Sequence, residues 1–246
     1  MSGLRLGLVA VLLCGVAWPA LAQPGRDELR HREAQNLGLV RESGYKNLEA
    51  LVELARVREQ LGWWQLAIDT WSTIRTLYAQ QPLPPHDASA PEPRCGTAAG
   101  FYIHRLERKR NLAASPATPP SAETRMLMYA AARNVGHKLW GARDGQVDTL
   151  IQLDMDGDLA DEVLVIGKYG RLGERIEQFV GLAKWEGQDY RIVWSAGAQD
   201  FHGVFPAAVE CMDYEGQGWK TVHLGFEPET DNVAMLQFNG EQALVY

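Results

Sequence analysis

The sequence lacks the motifs that mark the common catalytic and cofactor chemistries. It contains no GxSxG elbow, no HExxH zinc motif, no phosphate-binding P-loop and no CxxC pair. Its 6 histidines are scattered, and none has the spacing of a zinc site. Basic residues are also in deficit, since 24 Lys and Arg face 31 Asp and Glu, giving a net charge of −7. This balance argues against a general nucleic-acid binder, which needs a basic excess to neutralise phosphates.

Apolar residues are sufficient for a folded core, at 46% hydrophobic against 22% charged. The two halves of the chain differ in their apolar periodicity and in the residues of their loops. Residues 23–140 indicate helices interrupted by Pro-rich loops at 82–93 and 115–120. Residues 141–246 indicate short strands with Gly-rich turns. The sequence therefore predicts an α+β protein with an N-terminal helical region and a small C-terminal antiparallel β domain.

Residues 1–22 have the organisation of a secretory signal peptide. Arg5 precedes an apolar run at 6–16, and the Ala-Leu-Ala sequence at 20–22 is typical of a cleavage site before Gln23. The alternative is an uncleaved anchor, although the apolar run is short for a bilayer span. We expect a periplasmic or secreted protein with no stable membrane span after cleavage.

Cleavage would leave two cysteines, Cys95 and Cys211. In an oxidising compartment such a pair is able to form one disulfide bond, which we predict here. The alternative is a pair of buried thiols.

A helical hairpin is predicted over residues 47–79. Its features are a small residue in the first helix, a Gly and aromatics at the turn, and small and aromatic residues on the second helix: Ala55, Gly62, Trp63, Trp64, Ala67 and Trp71. With Ile74 on the second helix and Pro82 after it, residues 48–82 resemble one tetratricopeptide repeat, a family with a period of about 34 residues. The resemblance implies a concave partner surface. The alternative is an ordinary helical hairpin whose Ala residues permit close packing.

The most specific feature is a run of acids between two predicted strands. Asp154, Asp156, Asp158 and Glu162 fall at relative positions 1, 3, 5 and 9, with the carbonyl group of Ala160 at position 7. Hard oxygen ligands in this number suit Ca²⁺, which takes six to eight oxygens. An EF-hand is a poor match, because its glycine and its last glutamate are missing and the flanks are not helical.

This acid loop, residues 154–162, is similar to the calcium loop of FG-GAP and VCBS-type repeats. That family has the pattern Asp-x-Asp/Asn-Gly-Asp-Gly-x-x-Asp/Glu before an apolar strand. The matching residues are Asp154, Asp156, Gly157, Asp158 and Glu162. Leu159 departs from the pattern, since the family usually has Gly there. The resemblance implies a structural Ca²⁺ ion, and the alternative is an acidic surface turn that binds nothing tightly.

A weaker copy of the acid loop lies 59 residues later, at 213–221. Asp213, Glu215 and Gly216 keep the pattern, whereas Gln217 and Thr221 replace acids, which would weaken Ca²⁺ binding. The copy predicts two blade-like units of about 55–60 residues. Chance similarity between strand-rich segments is the alternative.

Three further features have ordinary interpretations. Asp200 and His202 have the spacing of a general-base pair, but no nucleophile accompanies them. Basic residues at 104–110 are expected to form a solvated helix face, and the alternative is a binding patch for an anionic envelope polymer. Most tryptophans are expected in the core, with Trp63 as the exception.

Together these patterns predict a non-catalytic exported interaction protein with a structural calcium loop. Its partner would be a protein or polymer of the cell envelope. The alternative is a periplasmic hydrolase of an envelope polymer, with Asp200 and His202 or the acid loop in its active site.

Overall fold

The computed structural model describes residues 24–84, 93–141, 145–170, 177–201, 206–213, 218–226 and 233–246. Within these residues, six helices precede two four-stranded antiparallel sheets. The predicted α+β class, with helices first and antiparallel strands second, is confirmed. The proposed signal segment lies outside the described residues.

The helices are α1 (Arg26–Glu42), α2 (Leu48–Gln60), α3 (Trp64–Tyr78), α4 (Cys95–Ala114), α5 (Ala122–Ala132) and α6 (Val135–Trp140). The predicted hairpin over 47–79 corresponds to α2 and α3. A short break at residues 133–134 separates α5 from α6. No helix within the described ranges combines the length and apolar character needed to cross a bilayer.

Local capping explains where these helices begin and end. The Asn47 side chain accepts the Ala50 N–H at 3.0 Å before α2, and the Ser121 side chain accepts the Thr124 N–H at 3.0 Å before α5. Ser121 is thus the N-cap of α5. Gly62 follows α2 with φ of +74°, a left-handed conformation that favours glycine and ends the helix as expected.

The strands are β1 (Gly145–Leu153), β2 (Glu162–Tyr169), β3 (Glu177–Trp185), β4 (Tyr190–Gly197), β5 (Pro206–Met212), β6 (Thr221–Phe226), β7 (Val233–Phe238) and β8 (Ala243–Val245). The first sheet has the order β1-β2-β3-β4 and the second the order β5-β6-β7-β8. Both are antiparallel meanders with consecutive strands paired. The acid loop joins β1 to β2, and its weaker copy occupies the equivalent connection between β5 and β6.

The elements stack in four layers. Helices α1–α4 cover one face of the second sheet through residues such as Trp71, Phe101 and Tyr246. The two sheets share the central core, in which Leu164 and Leu182 contact the layer of Val222 and Leu236. The outer face of the first sheet is covered by α5 and α6, mainly over β2 and β3, whereas the edge strand β1 is largely exposed. This arrangement accounts for the almost continuous burial of β2.

The two cysteines in the described ranges are free thiols. Cys95 is buried at the start of α4, whereas Cys211 is exposed on β5. The predicted disulfide bond between them gains no support here and stays a prediction.

A buried ion pair joins α2 to α4. Glu59 on α2 accepts a hydrogen bond from Lys109 at 2.9 Å, and its carboxylate lies 3.5 Å from Arg105. All three residues are at most 5% exposed. The expectation of a solvated basic face is therefore wrong for Arg105 and Lys109. Both cations also lie over the ring of Trp219, at 5.5 and 5.1 Å from its centroid.

Replacing Glu59 by Gln is expected to lower the free energy of unfolding at pH 7 by about 3 kcal/mol, because it removes the carboxylate that two buried cations share. Burial acts to raise the pKa of Glu59, but the charges of Lys109 and Arg105 outweigh it and leave the pKa below its ordinary value of 4.5. The pKa of Glu59 is therefore lower in the folded chain than in the unfolded chain. The ion pair stabilises the fold at pH values above the unfolded-chain pKa, and this stabilisation is lost as the pH falls through the folded-chain pKa.

Urea unfolding at pH 7 and pH 3 measures this dependence. The stability gap between the wild type and Glu59→Gln should shrink at the lower pH. Glu123→Gln, at an exposed position of α5, is the matched control and should show no such gap. An equal Glu59→Gln gap at both pH values would contradict the assignment.

Candidate metal centre

The acid loop is anchored at both ends by strand pairing. Leu153, the last residue of β1, is paired with Glu162, the first residue of β2. Between them Met155 is fully buried in the core that the two sheets share. The strand ends and this buried side chain therefore fix where the intervening carboxylates lie.

Carboxylates of the loop bind its own backbone. Asp154 accepts the N–H groups of Gly157 at 2.8 Å and Leu159 at 3.1 Å, one at each oxygen. Asp158 accepts the Ala160 N–H at 3.0 Å. Such Asx-type turns hold a short polar segment in one conformation without help from a sheet or helix.

Leu159 has a left-handed backbone, with φ of +68°. This is the position at which the sequence departs from the glycine of the FG-GAP/VCBS pattern. The loop nevertheless has there a conformation that glycine adopts without steric cost. A residue with a Cβ atom is strained in this conformation. Leu159 is 46% exposed, so its side chain gains little packing energy to offset the strain.

Three of the predicted ligands come together. One carboxylate oxygen from each of Asp154, Asp156 and Glu162 lies within 4.8 Å of the others. Asp156 is 0% exposed and Glu162 is 1% exposed. Glu162 accepts the Met155 N–H through Oε2 at 2.8 Å, whereas its buried Oε1 has no hydrogen-bond partner among the described residues. A buried carboxylate oxygen in that state requires compensation by a proton or a cation.

Burial raises the pKa of the carboxyl groups in this cluster. For Glu162 the burial and the neighbouring charge of Asp156 raise the pKa to about 9. For Asp154 burial is again the main cause, and the pKa rises to about 6. The environment of these acids thus disfavours uncompensated negative charge.

Two cations from other elements face the cluster. Arg108 on α4 places Nη2 at 2.8 Å from Oδ2 of Asp156 and 2.7 Å from Oδ2 of Asp158. Lys184 on β3 places Nζ at 2.8 and 3.3 Å from the same two oxygens. Lys184 also donates a hydrogen bond to the Gly240 carbonyl at 3.1 Å.

The donor set fits a small, hard divalent cation. When a cation is bound, ionisation of all four carboxylates, those of Asp154, Asp156, Asp158 and Glu162, is favoured, and the two positive charges of Arg108 and Lys184 offset half of their charge. A net charge of −2 is left, which one divalent cation would neutralise. All these ligands are oxygens, as Ca²⁺ and Mg²⁺ prefer, and none is the nitrogen or sulfur that zinc sites favour.

The remaining two predicted ligands have other contacts. Asp158 directs Oδ2 to the two cations and Oδ1 to the backbone, beside the group of three. Ala160 contributes its N–H to Asp158. Their role as metal ligands stays a prediction. Sequence reasoning missed Lys184, while Arg108 belonged to a recognised basic cluster whose partner in the acid loop was not recognised.

The second acid-rich segment is described only at its ends. Asp213 accepts the Gly218 N–H at 2.7 Å and lies 3.6 Å from Nζ of Lys220. Residues 214–217, including Glu215, lie outside the described residues. The predicted weak copy of the metal loop is thus untested at its centre.

The predicted general-base pair is also described only in part. Asp200 lies in a short 3₁₀ turn, Ala198–Phe201, and its Oδ2 accepts the Gly197 N–H at 2.7 Å. His202 lies outside the described residues. Asp200 therefore has a local structural contact that explains its presence at the end of β4.

Comparisons of the chain with protein-family models, curated proteins and solved structures gave no match. The likeness to tetratricopeptide repeats and to FG-GAP/VCBS loops therefore rests on the motif residues alone. Both resemblances stay predictions.

Replacing Leu159 by Gly is expected to raise the free energy of unfolding by up to about 1 kcal/mol, because glycine removes the Cβ strain at φ of +68°. Leu159→Ala is the matched control. It removes the same exposed side chain but keeps Cβ, so it should leave stability unchanged or lower it. Urea unfolding in chelator measures both variants, and an equal effect of Gly and Ala would show that the backbone carries no strain.

Proposed function

We propose that this chain is an exported, non-catalytic interaction protein of the bacterial envelope whose acid loop binds a structural Ca²⁺ ion. The observation that carries the calcium proposal is the group of half-buried Asp154 and buried Asp156 and Glu162, in which Glu162 Oε1 has no partner in the described part of the chain. The N-terminal sequence pattern supports export to the periplasm or beyond.

The cation would act on structure and not on a reaction. The loop joins two strands of one sheet, and a divalent ion there would neutralise the excess negative charge of its carboxylates. The oxygen atoms of Asp154, Asp156 and Glu162 would hold the ion, with Asp158 and the Ala160 carbonyl as further candidate ligands. Binding to the folded state alone would then add directly to the free energy of unfolding.

Calcium is expected to raise the melting temperature by about 5–10 °C when its concentration is roughly 100-fold above its dissociation constant. Differential scanning calorimetry with millimolar Ca²⁺ or with EDTA measures the shift. Glu162→Gln keeps the side-chain shape but removes a negative ligand, so the variant should fold and lose most of the response.

Asp148→Asn is the matched control for that experiment. Asp148 is an exposed acid of β1 that lies 3.8 Å from Lys168 and takes no part in the acid loop. This variant should retain the full calcium response. Identical melting temperatures of the wild type in Ca²⁺ and in EDTA would remove the basis of the calcium proposal.

The proposed partner surface lies on the helical layer. A groove of about 460 Å³ is lined by Gly62, Trp63, Trp64, Gln65, Leu66 and Arg110. Trp63 packs partly against the small cluster of Leu29, Val57 and Leu61, so one aromatic wall of the groove is held in place. Leu66 is 45% exposed beside it. An apolar groove with a rigid aromatic wall is a suitable anchor site for a partner chain.

Leu66→Ser is expected to reduce recovery of the partner from a native envelope extract several-fold, because it removes apolar contact area from the groove. Quantitative mass spectrometry after affinity purification measures the loss. Leu77→Ser is the matched control, since Leu77 is a 54% exposed leucine of the same helix outside the groove. Equal recovery with both variants would contradict this location for the partner surface.

A further inference from the structure

We propose that Arg108 is an internal counter-cation that competes with a divalent ion for the acid loop, so that ion binding loosens the contact between α4 and the first sheet. This inference rests on the proposed calcium site and assigns its regulation. The relevant observation is that Arg108 neutralises the same carboxylate, Asp156, that the candidate metal group requires.

The contacts of Arg108 define the competition. Its Nη2 atom bridges Oδ2 of Asp156 and Oδ2 of Asp158 at 2.8 and 2.7 Å. Asp156 is a member of the group whose oxygens lie within 4.8 Å of one another. A divalent ion bound by that group would lie within several ångströms of the guanidinium, in a partly buried site where like charges repel strongly.

Arg108 is better placed to withdraw than Lys184. The Arg108 side chain is 26% exposed, and in the described part of the chain its polar contacts are those with the two carboxylates. The Lys184 side chain is 17% exposed and also donates to the Gly240 carbonyl. Displacement of the guanidinium toward solvent would leave Lys184 in place. The contact between Arg108 of α4 and the carboxylates of the acid loop would then be lost. It would be replaced by contacts between the ion and the carboxylates, which lie within the acid loop.

The independent observation that points to an ion here is the Glu162 side chain. It is 1% exposed, and its Oε1 atom has no hydrogen-bond partner in the part of the chain that the structure describes. Neither Arg108 nor Lys184 contacts that atom. The two internal cations therefore neutralise Asp156 and Asp158 but do not contact Glu162 Oε1, whose charge must be compensated by a proton or by a further cation.

Binding of the divalent ion and binding of the Arg108 guanidinium are thermodynamically coupled, so removing either one should favour the other. Arg108→Gln is expected to bind Ca²⁺ about tenfold more tightly than the wild type, because the variant lacks the competing charge. In EDTA the variant should melt at a lower temperature than the wild type, because Asp156 and Asp158 have lost one of their two cations. Arg110→Gln is the matched control on the same helix. The Arg110 side chain is exposed and donates to Gln65 of α3, and no contact between it and the acid loop occurs among the described residues, so the calcium affinity of Arg110→Gln should equal that of the wild type. Isothermal titration calorimetry with CaCl₂ measures the affinities.

A second measurement uses the wild-type chain and does not depend on the variant folding. Phenylglyoxal modifies accessible guanidinium groups, and mass spectrometry locates the modified residues. Calcium should increase the modification of Arg108 several-fold and leave that of Arg110 unchanged. If the wild type binds Ca²⁺ but Arg108→Gln binds no more tightly, or Arg108 labelling does not increase, the competition is overturned while the calcium site stands. If the wild type binds no Ca²⁺, both proposals fail.

Discussion

Asp156 carries its carboxylate into a site with no solvent exposure, where an unpaired charge would cost several kcal/mol. Arg108 Nη2 and Lys184 Nζ each lie 2.8 Å from the same oxygen, Oδ2 of Asp156, and neutralise its charge. One cation comes from a helix of the first layer and the other from a strand of the third. The chain therefore satisfies Asp156 only by bringing the helical half and the first sheet to the same point, across the end of the second sheet.

The backbone around that point leaves no room for additional side chains. Gly157 of the acid loop has φ of +73°, and a Cβ atom there would lie 2.5 Å from the Trp219 ring nitrogen. Gly240, in the connection from β7 to β8, faces the Arg108 guanidinium in the same way, with a Cβ contact of 2.8 Å. The adjacent Asn239 donates to the Phe101 carbonyl of α4 at 3.2 Å. Close packing thus reinforces the charged contact, and the acid loop is part of the junction as well as of its own sheet.

Features set by local interactions could be predicted from the sequence. The helical hairpin, the Ser121 cap and the turn at Gly62 depend on residues within one or two turns, and the acid loop depends on spacing along nine positions. The division between α5 and α6 was not predicted, because the apolar pattern continues across residues 133–134. Leu159 in a left-handed conformation was also unexpected, since the structure overrides the preference of the residue through the hydrogen bonds of Asp154.

Pairings between distant residues could not be predicted. Arg108 is 50 residues from Asp158, and Lys109 is 50 residues from Glu59, so no local pattern links either pair. The basic residues of α4 resemble a solvated face because their periodicity is that of an exposed helix. Their burial depends on the layer order, which places α4 against the second sheet and beside the loop of the first. The negative charge of the acid loop and the positive charge of Arg108 on α4 thus form one charged contact between the layers. A change of cation at the loop would therefore be transmitted to the packing between the layers.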